Sequence, residues 1–253
     1  MKSYIDVVNE IKNLSKSRIT NIRKGMLAGH MCRPLSPYLS AMFIKKGISP
    51  NTVTLMMIGW GVLGSALFAI PCLWCKIAGY ICFYLWFTMD LCDGEVARTT
   101  KQFSKYGKEM DYMAHLICHP LMNIAMWITY LQADKYDATM LACIFITIIS
   151  VELVMRNLIS FDSYLGNVDE NSAKQSLPNY FRYLINQSIL YPNFILVFTL
   201  FVIWDYFNDF VCQTIYLLLL WTVCFLLVVL KEYYKRLTSV SYTHLRAHET
   251  RHD

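Results

Sequence analysis

The stretch TVTLMMIGWGVLGSALFAI, residues 52–70, contains no charged side chain and is long enough to cross a lipid bilayer. A helix crosses the hydrocarbon core with about 20 residues, because each residue advances the helix by about 1.5 Å. The rest of the chain shares this character, since 56% of its 253 residues are hydrophobic and only 16% are charged. Soluble domains carry roughly 25% charged residues. We therefore predict an all-α, polytopic membrane protein.

Five further apolar stretches predict that the chain crosses the membrane six times. They lie at about 71–92, 108–132, 138–160, 187–206 and 210–230. The third of the six spans contains Pro120. Because proline disrupts the hydrogen-bond ladder of a helix, we expect an interruption there.

A shorter amphipathic segment precedes the first span. Apolar side chains recur there at intervals of three and four residues, the spacing of one helix face, at Leu35, Tyr38, Leu39, Met42 and Phe43. We expect a juxtamembrane helix that lies on the membrane surface. The chain is therefore divided into a cytoplasmic N-terminal segment at 1–33, a membrane domain at 34–232 and a C-terminal tail at 233–253.

The distribution of Lys and Arg predicts the orientation. Residues 1–51 hold nine of them, and the connection at 93–107 is also basic, whereas the opposite side holds only Lys76 and Lys135. Positive residues stay on the cytoplasmic side, so we expect both termini and the 93–107 connection there, most simply in a bacterial inner membrane. The net charge of +5 reflects this asymmetry and does not indicate nucleic-acid binding.

Acidic side chains cluster in DLCDGEVARTTKQFSKYGKEMDYMAH, residues 90–115. Asp90 and Asp93 are three residues apart and share a helix face, while Asp111 and His115 are four apart on the next helix. Because the connection is short, the two helices are expected to be antiparallel neighbours with facing polar stripes. Converging carboxylates need a cation to neutralise them, and oxygen ligands suit Mg²⁺ or Mn²⁺.

Small and basic residues surround these carboxylates. Gly94, Ala97 and Gly107 lack bulk, which leaves room for a ligand beside the backbone. Arg98 is a fixed cation suited to a phosphate or to an acidic neighbour. Ligand binding is therefore expected at the inner mouth of the helix bundle.

The pattern resembles the signature of the CDP-alcohol phosphotransferase family, D-x2-D-G-x2-A-R-x8-G-x3-D-x3-D. Seven signature positions stand in register, at Asp90, Asp93, Gly94, Ala97, Arg98, Gly107 and Asp111. The motif PN-x-[TV] at the start of the first span also looks like the family, here as Pro50, Asn51, Val53 and Thr54 with Thr52 between. The resemblance covers about residues 34–232.

The resemblance implies a reaction and a set of roles. A CDP-linked donor such as CDP-diacylglycerol would pass a substituted phosphate group to an alcohol acceptor and release CMP, in phospholipid biosynthesis. The implied roles are two Mg²⁺ or Mn²⁺ ions held by Asp90, Asp93 and Asp111, of which Asp111 is also a catalytic candidate. A nucleotide pocket would be lined by Gly94, Ala97, Arg98 and Gly107 as well as Asp90 and Asp93. The family also implies a homodimer and membrane lipid as a partner.

One signature position departs from the family pattern, because His115 stands where the last Asp is expected. In the family that Asp is thought to hold the second ion and to act as general base. His115 could be the base, since an imidazole with a pKa of about 6.5 suits proton removal at neutral pH. It could instead be a metal ligand, or mark a site that has lost activity.

Other functions are weighed against this one. A CDP-binding paralogue without turnover is the main alternative, with a CDP-amino-alcohol phosphotransferase acting on a lipid or glycan as another. Transporters tend to show internal repeats or broken helices at the membrane midplane, and no repeat is found here. No residue identifies the acceptor.

Three further features carry weaker signals. Glu152 and Arg156 are four residues apart near the inner end of the fourth span, and they could pair with each other or Arg156 could hold a phosphate. His119 is interpreted as a bonded interior histidine. The last fifteen residues, SVSYTHLRAHETRHD, resemble a translated sequencing adaptor and are excluded from functional interpretation.

Overall fold

The computed structural model describes residues 3–18, 31–165 and 191–249, and in these ranges all regular structure is helical. The predicted all-α class is confirmed. In chain order the helices are α1 (Tyr4–Arg18), α2 (Ser36–Lys45), α3 (Pro50–Ala69), α4 (Leu73–Thr100), α5 (Gly107–Ala133), α6 (Ala138–Leu165), α7 (Tyr191–Phe207) and α8 (Ile215–Glu249).

Helices α3, α4 and α5 form the best-packed part of the bundle, with α3 against both of the others. Glycines allow α3 and α4 to approach closely. A Cβ atom on Gly79 would lie 2.8 Å from the backbone oxygen of Gly64 and 2.8 Å from the backbone nitrogen of Phe68. This close contact fixes α4 against α3, and α4 carries most of the signature residues.

Helix α4 is longer than the sequence predicted. The expected span ended near residue 92, but the helix continues to Thr100. It ends where Lys101 adopts a left-handed conformation with φ 58°. The extension stays helical because Glu95 and Val96 are buried against neighbouring helices. The connection expected at 93–107 is therefore wrong in extent, and the signature from Asp90 to Arg98 lies on one continuous helix.

Helix α5 also departs from the expectation, because it runs unbroken through Pro120. A proline removes one backbone hydrogen bond, but packed neighbouring helices make this tolerable within a membrane bundle. Pro120 follows His119, which is completely buried. The interruption predicted at Pro120 is therefore wrong, and Asp111 and His115 share a rigid helix with the rest of the span.

Helix α2 matches the predicted amphipathic helix, but it is covered on two sides. Its face with Ser36 and Ser40 is buried and packs on α4. On its other side, α1 covers it with an apolar cluster that includes Val7 and Ile11. Tyr38, by contrast, is exposed. The helix is thus held by protein as well as by any membrane surface.

Two helices are long and apolar enough to cross a membrane by composition, at Pro50–Ala69 and Ala138–Asn157. Shorter apolar helices lie at Asn193–Phe207 and Ile215–Lys231. These helices favour a membrane protein, while the six spans stay a prediction. Helix α6 reaches Leu165, beyond the fourth span expected at 138–160, and most of the connection between the fourth and fifth expected spans lies outside the described residues.

Candidate active site

Three side chains meet where the C-terminal part of α4 faces the first turns of α5. Asp90, Asp111 and His115 each offer one ligand atom, and these atoms all lie within 4.8 Å of one another. Asp90 and Asp111 are partly buried and His115 is buried. The antiparallel arrangement expected from the short connection brings these three together.

The ring of His115 is oriented by the backbone of its own helix. Its Nδ1 atom lies 2.9 Å from the carbonyl oxygen of Asp111, and its Nε2 atom lies 3.4 Å from Oδ1 of Asp90. If Nδ1 carries the proton and donates it to that carbonyl, Nε2 has a lone pair directed at the acidic cluster. Metal-binding and basic histidines are commonly arranged in this way.

Asp93 points toward α3. Its Oδ2 atom accepts a hydrogen bond from the hydroxyl of Thr54 at 3.0 Å. Its carboxylate still lies close enough to Asp90 and Asp111 for an electrostatic interaction. Asp93 is therefore beside the group of three, with one oxygen held by a neighbouring helix.

The small and basic signature residues lie on the same stretch of α4. A Cβ atom on Gly94 would come within 2.6 Å of Nη1 of Arg98, so the missing side chain makes room for the guanidinium group. Ala97 is partly buried. Gly107 is the first residue of α5, and a Cβ there would meet only Ser104, at 3.6 Å. A side chain at position 94 would thus displace the Arg98 guanidinium group, whereas one at position 107 would meet only an ordinary contact.

The family model for CDP-alcohol phosphatidyltransferase matches residues 48–229, which is most of the chain. The chain belongs to the CDP-alcohol phosphatidyltransferase family. No curated protein matches closely enough to add a relative. Because members of the family are phosphotransferases, the chain is an enzyme of this class, as the signature predicted.

The donor atoms fit the divalent metal that CDP-alcohol phosphatidyltransferases use. Two carboxylates and an imidazole nitrogen within 4.8 Å of one another can share one cation. Arg156, on α6, interacts electrostatically with Asp111 and adds positive charge at the edge of the cluster. The geometry therefore suits a cation, and the roles of individual residues stay predictions.

Glu152 bonds to a different partner from the one considered in the sequence. Its Oε1 atom lies 2.5 Å from Nδ1 of His119, and both side chains are buried. The ring of Trp86 packs against both histidines, with centroids 4.8 Å from His115 and 4.9 Å from His119. The bonded interior His119 agrees with the interpretation from sequence. This pair joins α5 to α6 directly behind the cluster.

Two contacts near the site were not predicted. Thr54 was noted only within a motif at the start of the first span, and Glu95 was not singled out. The carboxylate of Glu95 accepts hydrogen bonds from Ser36 at 2.9 Å and from Ser40 at 2.7 Å. An acidic residue inside an otherwise apolar helix indicates a paired or functional side chain, but the sequence does not say which helix supplies its partners.

Proposed function

We propose that this protein is an integral membrane transferase of phospholipid biosynthesis. It moves a substituted phosphate group from a CDP-linked donor, such as CDP-diacylglycerol, to the hydroxyl of an alcohol acceptor and releases CMP. The observation that supports this best is the convergence of Asp90, Asp111 and His115 in a chain of this family.

The carboxylates supply the binding chemistry. Asp90, Asp93 and Asp111 would hold two Mg²⁺ or Mn²⁺ ions, and such ions would supply charge neutralisation for an in-line displacement at phosphorus. Arg98 would bind a phosphate of the donor, and Gly94 leaves space for its guanidinium group. Together with Ala97 and Gly107, these residues would line the nucleotide pocket. Positioning and charge neutralisation provide most of the catalysis in phosphoryl transfer.

His115 would act as the general base. Its Nε2 atom faces the acidic cluster, while Nδ1 lies against a backbone carbonyl. In this role it takes the proton from the acceptor hydroxyl as the oxygen attacks phosphorus. In the alternative role, the same nitrogen binds a cation. Both roles need the neutral imidazole with Nε2 unprotonated.

The proposal includes a topology. The membrane domain at 34–232 crosses the bilayer six times, with a cytoplasmic segment at 1–33 before it and a tail at 233–253 after it. The basic residues before α3 and after α4 support a cytoplasmic active site and two cytoplasmic termini, in a bacterial inner membrane. Pairing into a homodimer is carried over from the family.

An assay of CMP release tests the function. Purified protein in detergent is incubated with CDP-diacylglycerol or CDP-choline, with Mg²⁺ or Mn²⁺ and a panel of alcohols. We expect metal-dependent CMP release with at least one pair, and its loss in Asp93→Ala. Glu109→Ala is the matched control, because Glu109 is an exposed carboxylate on α5 outside the cluster. If no pair yields metal-dependent CMP, the transferase proposal is wrong.

The second candidate is a CDP-binding paralogue without turnover, and the presence of His115 at the last signature position is what favours it. Binding separates the two functions. A paralogue would bind the CDP-linked donor in a metal-dependent way and release no CMP, whereas the transferase would do both. A CDP-amino-alcohol phosphotransferase would be recognised by CMP release from CDP-choline with a lipid acceptor.

A further inference from the structure

The first turn of α3 reaches the signature helix through one buried hydroxyl. Ser49 caps this turn by accepting a hydrogen bond from the backbone nitrogen of Thr52 at 3.3 Å, and Pro50 occupies the first helical position. One turn on, the hydroxyl of Thr54 lies 3.0 Å from Oδ2 of Asp93 and 3.3 Å from the carbonyl oxygen of Pro50. Thr54 is only 5% exposed.

We propose that Thr54 is a positioning residue that sets the orientation of the Asp93 carboxylate for cation binding. A hydroxyl that holds Oδ2 restricts rotation about the Cβ–Cγ bond of Asp93, and so fixes the direction of the other carboxylate oxygen. Outer partners of metal ligands act in this way, and their loss typically costs 10–100-fold in metal affinity. This inference rests on the proposed function in taking Asp93 as a metal ligand.

The packing of the helices supports this role. Asp90 and Asp93 lie on α4 and Asp111 lies on α5, so the relative position of these carboxylates depends on how the two helices are held. Helix α3 packs against both. The hydroxyl of Thr54 is therefore attached to the helix that packs most extensively against each of the two helices on which the ligands lie.

Folding alone does not require the contact with Asp93. A buried threonine hydroxyl in a helix commonly bonds to the carbonyl four residues earlier, and Thr54 has that carbonyl, from Pro50, within reach. Thr222 on α8 shows the simple arrangement, because its hydroxyl bonds to the carbonyl of Leu218 at 2.8 Å and it is also 5% exposed. Thr222 is thus a matched control for the loss of a buried hydroxyl.

Direct binding of Mn²⁺ in the absence of donor tests the inference. The dissociation constant is measured on purified protein in detergent from the electron paramagnetic resonance signal of free Mn²⁺. We expect Thr54→Val to raise this constant 10–100-fold, while Thr54→Ser, which keeps the hydroxyl, stays within about threefold of the wild type. Thr222→Val should bind as the wild type does. Thermal unfolding of each variant shows whether the fold is retained.

The outcomes separate this inference from the proposed function. If the wild type binds Mn²⁺, Asp93→Ala does not, and Thr54→Val binds normally, the positioning role is overturned and the metal site stands. Equal weakening in Thr54→Val and Thr54→Ser would assign the effect to packing and also overturn it. If the wild type itself binds no Mn²⁺, the metal site of the proposed function fails, and the role of Thr54 fails with it.

Discussion

Of the side chains in the site, His115 is the one whose replacement we expect to affect the rate of the chemical step most directly. Its Nε2 atom lies 3.4 Å from Asp90, and its ring packs against Trp86. We expect His115→Ala to lower turnover by 10²–10⁴-fold, the usual contribution of a general base, with a much smaller change in donor binding. Rates of CMP release and the dissociation constant of the donor check this.

A second substitution at the same position tests whether the residue of the family signature can replace His115. His115→Asp restores the family signature, so it should recover much of the turnover that His115→Ala loses. Wild-type turnover in His115→Ala would show that His115 is neither a base nor a ligand. Failure of His115→Asp to recover activity would mean that the surrounding site, including Trp86 and His119, is adapted to an imidazole.

The site could be predicted from sequence only where its residues are close in the chain. Helical periodicity placed Asp111 and His115 on one face, and the short connection brought Asp90 opposite them. The contact of Thr54 with Asp93 joins residues 39 positions apart. Periodicity says which face of a helix is polar but not which other helix meets that face, so such contacts emerge only from the packed structure.

At the scale of elements, the close approach of α3 and α4 depends on glycine. A Cβ on Gly79 would press on backbone atoms of α3 that cannot move independently, whereas a Cβ on Gly59 would meet no atom within 4 Å. We expect Gly79→Ala to destabilise the fold by about 1–3 kcal/mol through overpacking. Gly59→Ala should be neutral or slightly stabilising. Thermal unfolding in detergent measures both, and equal midpoints would contradict the prediction.

The docking of α2 depends on buried hydrogen bonds to Glu95. Replacing Ser36 and Ser40 together by alanine removes two donors from a carboxylate that is 6% exposed. Loss of a partner from a buried polar group costs about 1–3 kcal/mol, so we expect the double variant to unfold at a lower temperature. Ser65→Ala is the control, because the buried Ser65 hydroxyl bonds only to a backbone carbonyl. A double variant as stable as Ser65→Ala would contradict this role.

The positions of the helices could be predicted from hydrophobicity, except that the end of α4 and the course of α5 at Pro120 were predicted wrongly. Apolar length predicted α3 as a span over 52–70, and the helix covers Pro50–Ala69. Helix α4 was cut short because its polar residues looked like loop, although Glu95 is satisfied by side chains from α2. Pro120 was expected to interrupt α5, although the packed bundle tolerates it. In both places, tertiary contacts outweighed the local signal.

At the scale of the whole molecule, the proposed orientation can be tested with cysteine. Cys212 is exposed between α7 and α8, on the side opposite the signature in the six-span topology. We expect a membrane-impermeant maleimide to label Cys212 in intact cells, and Cys212→Ser to lose that label. Cell-surface labelling followed by mass spectrometry measures this.

A cysteine at the other end of the bundle provides the converse measurement. Gln102 is exposed in the connection between α4 and α5. Gln102→Cys, made in the Cys212→Ser background, should react only after the membrane is opened. Labelling of this cysteine in intact cells would reverse the proposed orientation and place the active site outside.

The length of α4 has a consequence for how substrates would meet. A helix of 28 residues is about 42 Å long, roughly 12 Å more than the hydrocarbon layer is thick. The end that bears Asp93 to Arg98 would then stand level with the lipid headgroups. A donor with fatty-acyl tails could enter the active site laterally from its leaflet, while a water-soluble alcohol enters from the aqueous phase. Catalysis would then obey surface-dilution kinetics, with a rate set by the mole fraction of donor in the micelle rather than by its bulk concentration.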